Sequence, residues 1–212
     1  MKTDRHAAFM NPYEEIHRHG RDLPHWQQQG VFCFVTWRLA DALSQSQLNQ
    51  WKDEKTAWLR IHPEPWDETV ERAYHQRFSQ RIEDWLDAGS GSCLLRDPAC
   101  AKIVANALRN FDGDRYALDG FVIMPNHVHA LFCPDKCVLL KEVVKSWKGW
   151  TAREINRLRN RSGTLWGVNY RDRLIRNAEH MLRCRNYIRK NPERANLRSG
   201  EYVLYIKEDG VK

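Results

Sequence analysis

The stretch "YALDGFVIMPNHVHALFC", Tyr116 to Cys133, constrains the fold more than any other part of the chain. Two runs rich in β-branched and aromatic residues, "YALDGFVIM" and "HVHALFC", are separated only by Pro125 and Asn126. Such runs read as strands, and a Pro-Asn pair between them is turn chemistry. The chain therefore doubles back as a hairpin, apolar enough to sit at the centre of a sheet. Within it, "HVH" places His127 and His129 on one face and Val128 on the other, because successive strand side chains alternate.

The flanking sequence supplies the rest of a sheet. "GVFCFVTWRL", Gly30 to Leu39, reads as a strand, and "VNYRDRLIR", Val168 to Arg176, as another. Between Ser44 and Ala88 lie two helical patterns, broken by Pro63 and Pro65, with Asp67 as cap of the second. Their apolar stripes are Leu48, Trp51, Trp58 and Leu59, then Val70, Tyr74, Phe78, Ile82 and Trp85. Asp97 and Pro98 open a further helix. A long helix follows over about 138–158, with Leu140, Val143, Val144, Trp147, Thr151 and Ile155 inward. Asn177 caps a last helix, expected to end near Asn191 because Pro192 follows. With the helical insertion at about 40–92 set aside, the order is βαββαβ plus a helix. The fold expected is α+β: a ferredoxin-like split βαβ antiparallel sheet in a single domain over 1–212.

Composition excludes several classes. No apolar run is long enough for a membrane span. The N-terminus has no apolar core of a secretory signal. The six cysteines are scattered, as expected of reduced, packed thiols in a cytoplasmic protein, and Cys133 and Cys137 have no second pair with which to complete a zinc site. The net charge of +7 is unevenly distributed. Lys141 to Arg198 holds 16 Lys and Arg against 5 Asp and Glu, while the rest of the chain holds 18 against 22. A basic segment of this kind is either a solubilising face or the footprint of a polyanion. The helix from Asp67 to Trp85 has no basic excess, and no part in binding is expected of it.

Two groups of residues carry chemistry. His127 and His129 lie about 7 Å apart along one strand, a spacing at which both can ligate one divalent ion. The same pair also fits half-buried histidines with hydrogen-bond partners. A zinc hydrolase would add a third His, Asp or Glu close by, and the hairpin has none. In "NYIRKNP", Tyr187 and Asn191 share one helical face, and Arg183, Arg185, Arg189 and Lys190 surround the tyrosine. That phenol is either a nucleophile stabilised by positive charge or an amphipathic tyrosine packed at a helix end. Tyr170, on the strand at Val168 to Arg176, is a second candidate and has no Asn partner. Trp147, Trp150 and Trp166 lie among the basic residues and either stack on bases or pack in the core, the latter above all for Trp147.

"MPNHVHALF" followed by "YIRKNPERANL" resembles the HUH-type single-tyrosine transposases, and most nearly the REP-associated tyrosine transposases. "LPHWQQQGVFCFVTWRLADAL", "LDAGSGSCLLRDP" and "SWKGWTAREINR" resemble longer members of that group, so the likeness runs from about Leu23 to Leu197. After Pro192 the chain differs, with "ERANL" where many relatives have a Val-Arg or Val-Lys and a glycine. The resemblance implies a Mg²⁺ or Mn²⁺ ion held by His127, His129 and Asn191, and Tyr187 as the nucleophile. It implies cleavage and rejoining of single-stranded or REP-like hairpin DNA through a 5′-phosphotyrosine, by a monomer or homodimer. The cations expected on phosphates are Lys141, Lys145, Lys148, Arg153, Arg183, Arg189 and Lys190. A regulatory DNA-binding protein of this fold without turnover, and a metal phosphodiesterase that uses water, remain as alternatives.

Overall fold

The computed structural model describes residues 8–19 and 25–208. Leu23, where the family resemblance begins, and the first seven residues lie outside the described residues. The central sheet is built from β3 (Cys33–Arg38), β4 (Tyr116–Ile123), β5 (His127–Pro134), β6 (Arg171–Leu174) and β7 (Val203–Ile206). A small antiparallel hairpin, β1 (His17–His19) and β2 (His25–Gln27), precedes it. The helices are α1 (Gln45–Ile61), α2 (Glu68–Tyr74), α3 (Arg81–Asp87), α4 (Pro98–Asn110), α5 (Leu140–Leu158) and α6 (Ala178–Arg194). A π-helical turn, His75–Gln80, joins α2 to α3.

The strand order is β6-β3-β5-β4-β7, and every pairing is antiparallel. Without β7 this is the ferredoxin-like order expected from the sequence. The β7 edge was not expected, although "YVLYI" has the composition of a strand. Gly120 on β4 admits it closely: a β-carbon there would stand 3.1 Å from the Tyr205 carbonyl oxygen.

Local chemistry sets the helix starts. Ser44 and Gln47 form a capping box on α1. The side chains of Asp67, Asp97 and Asn177 accept from the backbone N–H of Val70, Ala99 and His180, each at 2.8 Å. At the end of α6 the expectation fails, because the helix runs through Pro192 to Arg194. Pro192 removes a single donor near the terminus. The turn closes around it through Ala195 N–H to the Asn191 carbonyl at 3.1 Å and Leu197 N–H to the Pro192 carbonyl at 2.9 Å.

The sheet separates two cores. On one face α4 and α5 pack against Val35, Trp37, Phe121, Val128, Ala130 and Phe132. On the other, Met181, Cys184 and Ile188 of α6 pack against Phe34, Val122, Met124 and Leu131. Leu118 and Phe121 reach the same face although three residues apart, because a bulge shifts the register between Leu118 and Gly120. The aromatic residues of the first face settle the tryptophan question in part. Trp147 stacks on Trp37 at 5.7 Å and donates to the Tyr116 hydroxyl at 3.0 Å, and Trp166 donates to Thr151 Oγ1 at 2.9 Å. Trp147 and Trp166 are buried and Trp150 is exposed. Of the cysteines, Cys33, Cys100, Cys133 and Cys184 are buried as expected, Cys93 is half-buried, and Cys137 is exposed.

A two-pronged ion pair fastens α6 to the bulge. Arg185 Nε and Nη2 meet Asp119 Oδ2 and Oδ1 at 2.9 and 2.6 Å. Both side chains are largely buried. Removing one partner of such a pair strands the other charge. Asp119→Ala is therefore expected to lower stability by about 3 kcal/mol in denaturant unfolding, whereas Arg183→Ala, on the exposed face of the same helix, should change it by less than about 1 kcal/mol.

Candidate active site

β5 and α6 bring the predicted residues together. The strand alternation turns His127 and His129 toward α6, and both are fully buried. The His129 ring centroid lies 4.7 Å from that of His127 and 5.1 Å from that of Tyr187. Asn191 follows one turn after Tyr187 on the same helical face, also fully buried.

Neighbouring side chains fix both imidazoles. Asn126 Nδ2 donates to the carbonyls of Leu86 and Ser90 at 3.1 and 3.0 Å, which leaves Asn126 Oδ1 as an acceptor facing His127 Nδ1 at 2.7 Å. His127 therefore carries its proton on Nδ1 and presents a bare Nε2. His129 Nδ1 is held by Thr36 Oγ1 at 2.7 Å, its cross-strand partner. The Nε2 atoms of both rings, both side-chain polar atoms of Asn191 and Asp87 Oδ1 are buried without a hydrogen-bond partner. So many orphaned polar atoms in one place are costly unless a ligand meets them. Burial holds both imidazoles neutral. The neighbouring His129 also lowers His127, and His129 falls to about 3 beside Arg173, Arg171 and Arg194. Neutral rings with oriented lone pairs are the ligating form.

The helical insertion forms a wall of the site, which the sequence reading missed. Glu83 and Asp87, four apart on α3, share a face. Tyr187 Oη donates to Glu83 Oε2 at 2.7 Å, and that oxygen is 3.7 Å from His129 Nε2. Asp87 Oδ1 is 3.9 Å from His127 Nε2, and burial lifts its carboxyl to about 6 despite Arg194 at 3.8 Å. With the imidazoles neutral, these acid–histidine approaches are not ion pairs. The Tyr187 phenol is pushed up by burial, then by Glu83. Among the described residues no three His, Cys, Asp or Glu side chains already stand as a metal-binding group, so an ion here depends on the Asn191 amide as well.

The cations are arranged differently from the expectation. Arg185 is bound to Asp119, Arg183 to Glu179 and Arg189 to Asn186. The cation over the Tyr187 ring is Arg194, at 5.5 Å. Its i+7 spacing from Tyr187 was a readable signal. Lys141, Lys145, Lys148 and Arg153 belong to α5, which packs on the sheet face opposite the histidines. Lys148 is committed to structure, donating to the carbonyls of Gly167 and Val168 at 2.7 and 2.9 Å. Arg171 and Arg173, in register with Thr36 and Phe34, lie on the histidine face, and Arg173 is exposed there. Their period-2 spacing in "RDR" was the signal for them. Tyr170 stacks on His25 at 3.9 Å and joins the opposite core, away from the histidines.

Unfolded histidines take up protons below about 6.5, which folded His129 refuses until about 3. Its contribution therefore lowers stability as pH falls through that window. Asp87 acts in the opposite sense, since a carboxyl raised to about 6 weakens the fold as pH rises from 3.8. In chelator, stability measured from pH 6.5 down to 4 should fall more steeply for wild type than for His129→Gln, by up to about 1.4 kcal/mol per pH unit. Parallel curves would mean that His129 is not held neutral.

The chain is similar to the REP-associated tyrosine transposase bound to a REP hairpin, at 13% identity over 80% of this chain and 70% of that one, with a TM-score of 0.45. It is also similar to a protein described as a transposase from Deinococcus radiodurans R1, at 15% identity over 76% and 90%, with a TM-score of 0.40. No curated protein matches. Among the described residues no helix is long and apolar enough to cross a membrane. The model of the IS200-like transposase family matches residues 97–191 of the chain, from the cap of α4 through the histidine strand to Asn191.

Proposed function

We propose that the protein is a metal-dependent DNA nickase and strand transferase acting in DNA transposition. Its substrate is single-stranded or REP-like hairpin DNA, and its intermediate is a 5′-phosphotyrosine on Tyr187. The observation that supports this reading most is the Tyr187 ring 5.1 Å from His129, beside two buried imidazole nitrogens with no partner.

The ion in this reading is Mg²⁺ or Mn²⁺, and His127 Nε2, His129 Nε2 and the Asn191 side-chain oxygen would hold it. Such an ion would supply Lewis-acid polarisation of the scissile phosphate. The remaining steps use the chain's own groups. Tyr187 Oη attacks phosphorus in line with the 3′ oxygen. The Oη–P bond forms, the P–O3′ bond breaks, and the 3′ strand leaves as a hydroxyl. Glu83 Oε2, 2.7 Å from Tyr187 Oη, is positioned to take the phenolic proton and return it to the departing oxygen. Attack by another 3′-hydroxyl reverses the sequence and joins strands, with no nucleotide cofactor.

Labelled hairpin DNA incubated with the protein and Mn²⁺ should give a slow-migrating covalent adduct on a denaturing gel. Tyr187→Phe should lack it and Tyr170→Phe should keep it. Cleavage by Tyr187→Phe without an adduct would point to a water-using phosphodiesterase instead. Binding without cleavage by wild type would point to a regulatory DNA-binding protein.

The two-faced charge makes a second prediction. Each phosphate neutralised on a single strand contributes about −0.7 to the slope of log K against log salt. Arg173→Ala and Lys190→Ala, on β6 and α6, should each flatten the slope by about that amount. Lys141→Ala and Lys145→Ala, across the sheet, should leave it unchanged. Equal effects from both pairs in a salt titration would show that DNA contacts both faces.

A further inference from the structure

We infer that Asp87 of the helical insertion is a further ligand of the metal ion, so that the insertion completes the metal centre. This rests on the reading of His127, His129 and Asn191 as a divalent-cation site. Asp87 sits at the C-terminal end of α3, a helix outside both metal-binding elements. Its Oδ1 is buried, has no hydrogen-bond partner and lies 3.9 Å from the bare Nε2 of His127. Among the described residues, Arg194 is the cation paired with it, at 3.8 Å from the other oxygen. A carboxylate with an unanswered buried oxygen destabilises the fold unless something positive meets it. The group facing it makes that something a cation, since His127 presents a bare Nε2 that is also without a partner. Two imidazoles and an amide are also a weak set for a hard ion such as Mg²⁺ or Mn²⁺, and an anionic oxygen supplies what they lack.

The α3 end is held in place for this task. Asn126, which orients His127, also takes the carbonyls of Leu86 and Ser90 on either side of Asp87 and its turn. One side chain thus positions both the imidazole and the carboxylate-bearing turn.

Mn²⁺ binding to the full chain without DNA, followed by electron paramagnetic resonance and by the Mn²⁺-induced rise in Tm, tests this. Asp87→Asn should weaken Mn²⁺ binding at least tenfold and shrink the Tm rise. In chelator, its Tm should equal or exceed wild type, because a carboxylate with one buried, unpartnered oxygen is gone. A structural carboxylate would behave oppositely, with a lower Tm and unchanged Mn²⁺ affinity, and that result would overturn the inference. Asp84→Asn, on the exposed face of α3, is the control and should bind as wild type. If His127→Ala and His129→Ala bind Mn²⁺ as wild type, the cation site itself is wrong. If they lose binding while Asp87→Asn keeps it, only the role of Asp87 falls.

Discussion

Every residue of β5 is buried, and the strand has an apolar core on each face. A strand so placed cannot slip by one residue, because a slip would exchange His127, His129 and Leu131 with Val128, Ala130 and Phe132. The imidazoles would then enter the core under α4 and α5. The register with β3 and β4 therefore does two things at once. It builds the core of Trp37, Phe121 and Phe132, and it aims two imidazoles at α6. The site inherits its rigidity from the core, which is why Thr36, directly across from His129, can fix that ring.

Burying polar groups this deeply is unfavourable, and the arrangement concentrates the strain where chemistry needs it. His127 and His129 are kept neutral, Asp87 holds its proton more tightly than an exposed carboxyl, and Asn191 has no partner for either side-chain polar atom. Groups that disagree with their surroundings in this way mark functional sites more often than structural ones. The cluster is therefore costly to bury, and in the proposed reading a bound cation would offset that cost.

Charge along the sequence did not translate directly into charge in space. The basic run from Lys141 to Arg198 spans α5, β6 and α6, which occupy both sides of the sheet. Several of its members are bound internally, as Lys148 is to two carbonyls and Arg185 to Asp119. The surface near Tyr187 is made by α6, by Arg173 on β6 and by the insertion, whose carboxylates balance it.

The sequence by itself determined the hairpin, the helix caps, the order βαββαβ and the pairing of His127 with His129 and of Tyr187 with Asn191. Those are local properties: alternation along a strand, four-residue spacing on a helix, and side chains that cap their own backbone. Tertiary structure alone decided which distant elements meet. Nothing in the spacing of Glu83 and Asp87 told that α3 would fold over the histidines, or that Thr36 would lie opposite His129. Pro192 likewise read as a helix stop, and only the closing bonds to Ala195 and Leu197 carry α6 past it. Contacts between residues 40 to 104 positions apart follow from the burial of whole faces, which summed side-chain packing fixes and a local pattern does not encode.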